Sequence, residues 1–269
     1  MNPLSDNTRN ADAPSIDELQ VDQRGNVLWL TIAREAKRNA MSHGVIAGMA
    51  QALRAAQGQR DVRAIVITGA GEKAFCAGAD LQASKVFTAD YSEPHAHLAQ
   101  LLRAARASHI PLIARVNGYC LAGGMGLLAM CDMAVASSHA VFGLPEVKIG
   151  VFPAQVLTVL QHLVPRRVLT EMCITGEPLD SAQALQYGLV NHVADDVDEK
   201  LQWLLDRILN KSPAAIRRGL YTMKTVETMG FEESMAFTES QIALLTLTDD
   251  AREGQKAFQE KRPPQWTGQ

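Results

Sequence analysis

The 269-residue chain is short of the residues that staple or anchor a protein: it has four cysteines without a C-x-x-C pair, and aromatics make up only 5% of it. Cys76, Cys120, Cys131 and Cys173 all stand in apolar surroundings. They read as buried free thiols in a reducing compartment, not as a disulfide or zinc framework. No apolar run approaches the roughly 20 residues that span a bilayer. The opening stretch MNPLSDNTRNADAPSIDEL lacks an apolar segment and carries Asp6, Asp12 and Asp17, which argues against a secretory or transit signal. Residues 1–16 are therefore expected to be a flexible polar leader, and the cytoplasm the location. A net charge of −3 gives no general pull toward nucleic acid or a membrane surface, so neither is expected as a partner. The seven histidines are scattered, and the HAH at 95–97 has an i,i+2 spacing that does not converge on a helix, so no metal is expected. No G-x-S-x-G occurs, which removes the nucleophile elbow.

What is present is an alternation of strand and helix patterns. ELQVDQRG and NVLWLTIA predict a hairpin turning at Arg24-Gly25-Asn26. GVIAGMAQALRAAQ has helical spacing, VRAIVIT is a buried strand, and FCAGADL is too rich in small residues for a regular helix. Ser84 to Pro94 is largely polar and aperiodic, so a mobile loop is expected there. HAHLAQLLRAARAS predicts a helix, LIARVNGYC a strand, the stretch from Leu121 a helix, and DMAVAS a strand. From about Pro153 the pattern is helical nearly to the end, and a boundary is placed near Ser212-Pro213. The rhythm predicts an α/β layered core whose functional loops follow strand ends.

Three small-residue turns bear on chemistry. AIVITGAGEKA imitates a dinucleotide fingerprint, but no helix opens after it and no acid-ended second unit follows, so it reads as a plain turn. CAGAD (76–80) and LAGGM (121–125) each stand close behind a strand. There small residues let a ligand approach the backbone, and peptide N–H groups can donate to it. The second turn opens a helix, whose first N–H groups lack partners and favour negative charge.

Taken in order, AIVITGAGEKAFCAGADL, then PLIARVNGYCLAGGMGLLAMCDMAVAS, then FGLPEVKIGVFP resemble the enoyl-CoA hydratase/isomerase family, the crotonases. RNAM at 38–41 and the C-terminal GQKAFQEKRPPQW extend the resemblance from about Val27 to the end. It implies a crotonase-like α/β fold, a spiral of ββα units over 17–211 with a helical trimerisation module over 212–269. A homotrimer or a dimer of trimers is expected. It implies an acyl-CoA thioester substrate, no cofactor beyond the CoA that substrate carries, and an enolate held by the backbone N–H groups of Ala79 and Gly123. Lys37, Arg38, Ala77, Phe258 and Lys261 are the implied CoA contacts, the last two reaching a neighbouring subunit. Without the resemblance, the two basic runs read as a solvated charged face. Phe87 and Tyr91, in the loop expected over Ser84 to Pro94, are candidates to touch the acyl group.

Two-carboxylate hydratases of this family carry one glutamate at the position of Gly126 and another at that of Glu146. Here Gly126 offers no side chain. The bland role for Glu146, in LPEVKIG, is to cap a turn or pair with Lys148. Three outcomes stay open. Glu146 could serve as the single acid–base group of a hydratase, closest in pattern to the branched-chain methylglutaconyl- or isohexenylglutaconyl-CoA type. It could move a proton between C2 and C4 as a Δ3,Δ2-enoyl-CoA isomerase. Or the chain could bind CoA without turnover.

Overall fold

The computed structural model describes residues 18–81, 92 and 94–269. The expected polar leader, and Phe87 and Tyr91, lie outside the described residues. The chain opens with the expected antiparallel hairpin, β1 (Leu19–Arg24) and β2 (Val27–Ile32), turning at Gly25 with φ +58. The six-stranded sheet then grows by parallel additions of β3 (Ala64–Gly69), β5 (Leu112–Val116), β7 (Met133–Ser137) and β10 (His192–Ala194), in the order β1-β2-β3-β5-β7-β10.

Strand β3, AIVITG, is buried along its whole length because helices cover both faces of the sheet. Its side chains alternate accordingly. Ile65 and Ile67 join the core formed with Val45, Met49 and Leu53 of α1 (His43–Ala56) and Leu101 of α2 (His97–Arg106). Ala64 and Val66 join a second core against Val197, Leu201, Leu204, Leu205 and Ile208 of α7 (Val197–Leu209).

A smaller sheet has the order β4 (Ala74–Cys76), β6 (Tyr119–Leu121), β8 (Val141–Gly143) and β9 (Leu179–Asp180), its first three strands parallel. The chain thus runs β3–β4, β5–β6 and β7–β8, each time giving one strand to the large sheet and the next to the small one. This corrects the single strand expected over 112–120. Asn117 and Gly118 carry the chain from one sheet to the other. Gly118 is required there, because a Cβ would stand 2.3 Å from the Lys73 carbonyl oxygen. The fingerprint-like stretch is a turn, as read: a Cβ at Gly69 would stand 2.4 Å from the carbonyl oxygens of Ala74 and Phe75.

After β6 comes α3 (Gly123–Ala129), and after β8 a 3-10 turn over Pro145–Ile149. Helices α4 (Ala154–Leu160), α5 (Arg166–Thr175) and α6 (Ser181–Gln186) pack behind them, α6 opened by an Asp180–Gln183 capping box. The C-terminal helices are α8 (Pro213–Val226), α9 (Phe231–Leu245) and α10 (Asp249–Gln259). Arg217 pins α8 to the carbonyls of Gln57, Gln59 and Val62, and Lys224 pairs with Asp132 at 2.9 Å. Among the described residues no helix is long and apolar enough to cross a membrane. All four cysteines are free, and burial pushes the Cys76 thiol up to about 12.

Candidate active site

The three adjacent parallel strands β4, β6 and β8 all end on one edge of the small sheet, the side where ligands sit in open parallel sheets. Ala79 follows the first, Gly123 the second and Glu146 the third. Cys76 and Cys120 are register partners across β4 and β6, and Ala79 and Gly123 each stand three residues beyond them. Pairing of the strands therefore brings the two small-residue turns side by side. A Cβ built on Gly123 would stand 3.7 Å from the Ala79 nitrogen.

The first turn is tied down at its outer side. Met41 N–H donates to the Gly78 carbonyl at 2.7 Å and Asp80 N–H donates to the Met41 carbonyl at 3.0 Å, a parallel bridge centred on Ala79. Alternation along an extended chain then turns the Ala79 N–H away from Met41. Gly78 has φ +100, and a side chain there would press on Ala122.

The second turn is fixed by its own backbone. Ala122 stands at φ 52 and ψ −123, a costly conformation for an L-residue, and its N–H is held by the Gly143 carbonyl at 2.9 Å. Gly124 lies so close to β4 that a Cβ would stand 2.2 Å from the Cys76 carbonyl oxygen. This answers why glycine is tolerated at a helix start. The N–H groups of Ala79 and Gly123 have no hydrogen-bond acceptor among the described residues, which leaves a pair of converging donors.

Glu146 lies on the 3-10 turn after β8. Its Oε2 is buried without a hydrogen-bond partner. Burial raises its carboxyl pKa above the ordinary value, opposed by a hydrogen bond from its own N–H. Burial, and then the Glu146 charge, likewise raise the thiol pKa of Cys173 on α5. Of its two bland roles the pairing with Lys148 is absent, because Lys148 pairs with Glu177 at 3.0 Å instead. Gly126, on α3, is not an empty space: a Cβ there would meet Val156 Cγ1 of α4 at 2.7 Å. Val156 went unnoticed in the sequence, where AQVLTVL reads only as an apolar helix.

The expected CoA contacts fall into two groups. Ala77 N–H donates to the Arg38 carbonyl at 3.1 Å, and the Lys37 ammonium meets Asp80 at 2.9 Å, so Lys37, Arg38 and Ala77 all border the Ala79 turn. Arg38 is exposed, in the left-handed conformation at φ 51. Phe258 and Lys261 lie at the end of α10, where Phe258 is 86% exposed.

Over residues 22–269 the sequence matches the model of a family described as enoyl-CoA hydratase/isomerase. The chain belongs to the enoyl-CoA hydratase/isomerase family. It is an enzyme of the hydratase type, which removes the reading of a CoA binder without turnover. It is 33% identical over 258 residues to the 2,3-dehydroadipyl-CoA hydratase of Escherichia coli strain K12, covering 94% of this chain and all of that one. It is 34% identical over 253 residues to an enoyl-CoA hydratase of Mycobacterium tuberculosis, covering 91% and 94%. The crystal structure of an enoyl-CoA hydratase from Mycobacterium smegmatis superposes with a TM-score of 0.87 at 31% identity, covering 93% and 98% of the two chains. The crotonase-like α/β fold is thereby established.

Proposed function

We propose that the enzyme adds water reversibly to the double bond of an α,β-unsaturated acyl-CoA. The Ala79 and Gly123 N–H groups hold the thioester oxygen as it gains enolate charge. Glu146 takes a proton from the attacking water as its oxygen bonds to the β-carbon and returns that proton to the α-carbon as the enolate collapses. The observation that carries this is the meeting, on one sheet edge, of two unpaired backbone donors and a half-buried carboxylate whose Oε2 has no partner. A donor of this kind is worth about 2.7–4 kcal/mol in the transition state where one has been removed. It costs little reorganisation here because Ala122 and Gly124 have already fixed it. An apolar environment weakens carboxylate solvation, so Glu146 becomes a better base for water than an exposed glutamate.

The thioester acidifies the α-carbon, so the chemistry proposed calls on no cofactor besides the substrate's CoA. Lys37, Arg38 and Ala77, beside the Ala79 turn, are the proposed CoA contacts. Phe258 and Lys261 are proposed to complete the site of a neighbouring subunit in a trimer or a dimer of trimers. The exposed Phe231, Ile242 and Leu247, on and just after α9, suit burial in such an assembly.

A second reading rests on Gly126. With Val156 where a second side chain would project, Glu146 is the lone carboxylate proposed to act, and one carboxylate is enough to carry a proton from C2 to C4 in a Δ3,Δ2-isomerisation. The test is incubation with crotonyl-CoA, 3-methylglutaconyl-CoA, 2,3-dehydroadipyl-CoA and a trans-3-enoyl-CoA, followed by mass spectrometry. A gain of one water on a 2-enoyl substrate supports the hydratase. Conversion of the 3-enoyl compound without mass change, and no hydration, makes it an isomerase.

A further inference from the structure

The Ala79 turn is held by a buried pair of charges, Arg34 and Asp80, that the proposed reaction does not use. Asp80, the residue after Ala79, is only 6% exposed. Its Oδ2 accepts from Arg34 Nη2 at 2.7 Å and from Lys37 Nζ at 2.9 Å. The Arg34 side chain is itself 8% exposed, and its Nε pairs with Glu18 Oε1 at 2.9 Å while its Nη1 donates to the Ala40 carbonyl. Arg34 follows the end of β2 in the large sheet, so a strand buried in the main core is linked through one guanidinium to the donor turn of the small sheet.

A buried ion cluster of this kind is seldom a gain in stability over apolar packing, which makes its place beside a functional N–H informative. The planar fork of Arg34 spends one nitrogen on Asp80, one on Glu18 and one on the Ala40 carbonyl, which fixes its direction as well as its distance. Asp80 is anchored at both its atoms of consequence: its N–H is held by the Met41 carbonyl and its carboxylate by Arg34. The Ala79 N–H belongs to the peptide between Gly78 and Ala79, whose carbonyl accepts from Met41 N–H at 2.7 Å. With the next peptide held through Asp80, the Ala79 Cα between the two has little room to turn and take that N–H with it.

We infer that Asp80, clamped by Arg34, is a positioning residue that aims the Ala79 N–H at the acyl oxygen. It rests on the proposed role of that N–H. Asp80 touches no reacting atom in this account; it sets the angle of the group that does. Loss of the clamp therefore affects the transition state, where the hydrogen bond is strongest, more than ground-state binding of the acyl-CoA.

The experiment uses a chromophoric enoyl thioester, cinnamoyl-CoA, bound to the full-length Glu146→Gln protein so that no turnover occurs. Hydrogen bonding to the carbonyl polarises the conjugated system and moves its absorbance to longer wavelength. In the Glu146→Gln background a red-shift is expected. Adding Asp80→Asn, which keeps the size and leaves Arg34 paired with Glu18, is expected to remove at least half of that shift while Kd changes less than about threefold. In the enzyme with Glu146 intact, Asp80→Asn is expected to lower kcat by about 10–100-fold with KM nearly constant, a fraction of the loss for deleting a donor outright. Arg34→Lys, which keeps the charge without the fork, is expected to give an intermediate shift, and it serves as the test if Asp80→Asn does not fold. A full red-shift in the folded Asp80→Asn or Arg34→Lys protein overturns the inference. Absence of any shift in Glu146→Gln alone overturns the donor-pair reading itself, and this inference with it.

Discussion

The two halves of the site are built by opposite means. The donor half is fixed on every side: the Cys76–Cys120 register sets the spacing, Gly78 and Ala122 hold positive φ angles, Gly124 lies against the Cys76 carbonyl, and Asp80 is clamped by Arg34. The carboxylate half is left loose. Glu146 stands on a single 3-10 turn, and its buried Oε2 has no partner. The difference follows from what each half is proposed to do. A dipole serves best when it cannot reorganise, whereas a proton carrier serves best when one of its oxygens is left free of protein partners.

Removing the loose half is expected to have the largest effect. Glu146→Gln should lower kcat/KM by about 10²–10⁴-fold, measured with crotonyl-CoA. The same change should raise Tm at neutral pH by roughly 1–4 °C, read by calorimetry. The sign follows from burial. The folded-state pKa lies above the unfolded one, so the associated stability is present at low pH and lost as pH rises through the folded value. A neutral glutamine escapes that loss. A lower Tm would mean that Glu146 is a structural residue.

In the fixed half, Gly124→Ala pushes a methyl into a backbone carbonyl that cannot give way. Stability should fall by about 1–3 kcal/mol in urea unfolding, and kcat by about 10²-fold or more as the neighbouring N–H is displaced.

Gly126→Glu should destabilise by about 1–3 kcal/mol, because the new Cβ meets Val156 Cγ1, a methyl of a stiff β-branched side chain. Combined with Val156→Ala, which removes that atom, the pair should show a favourable coupling of about 1 kcal/mol in a double-mutant cycle. Additive losses would show that the two positions are independent.

The smallest effect is expected at Ala122→Gly. It relieves a φ of 52 and should raise stability by about 1 kcal/mol or less, while kcat drops severalfold as the second donor gains freedom.

Much of this arrangement was legible in the residue pattern, and the parts that were not have identifiable reasons. Helices α1, α2 and α4 to α9 announce themselves by apolar spacing, and β3 by its unbroken apolar run. The small sheet was nearly invisible, because β6, β8 and β9 are two or three residues long, too short for any period to show. Asn117-Gly118 was the one available sign that LIARVNGYC is two strands. Its meaning depends on Lys73, and on Asn117 Nδ2 donating to the carbonyls of Gly69 and Ala74, all distant in sequence. Helix α10 has few apolar residues, and its signals were the Thr248 cap and the acids Asp249 and Asp250. Ala79, Gly123 and Glu146 were found through motif resemblance. Asp80 stood in plain view within CAGAD, but its partner Arg34 is 46 positions away in the chain. Val156 left no sign beyond the missing side chain at Gly126.

The contrast between a fixed donor pair and a single free carboxylate meets its most direct test in the pH dependence of kcat/KM for hydration of a 2-enoyl-CoA. The account predicts an acidic limb that falls with a slope of one, centred above the ordinary glutamate pKa of about 4.3, because only the basic form of Glu146 accepts the proton of water. The limb should vanish from the residual rate of Glu146→Gln. A slope of two, or a limb that survives in Glu146→Gln, would show that another acid shares the work and would contradict the single-carboxylate site.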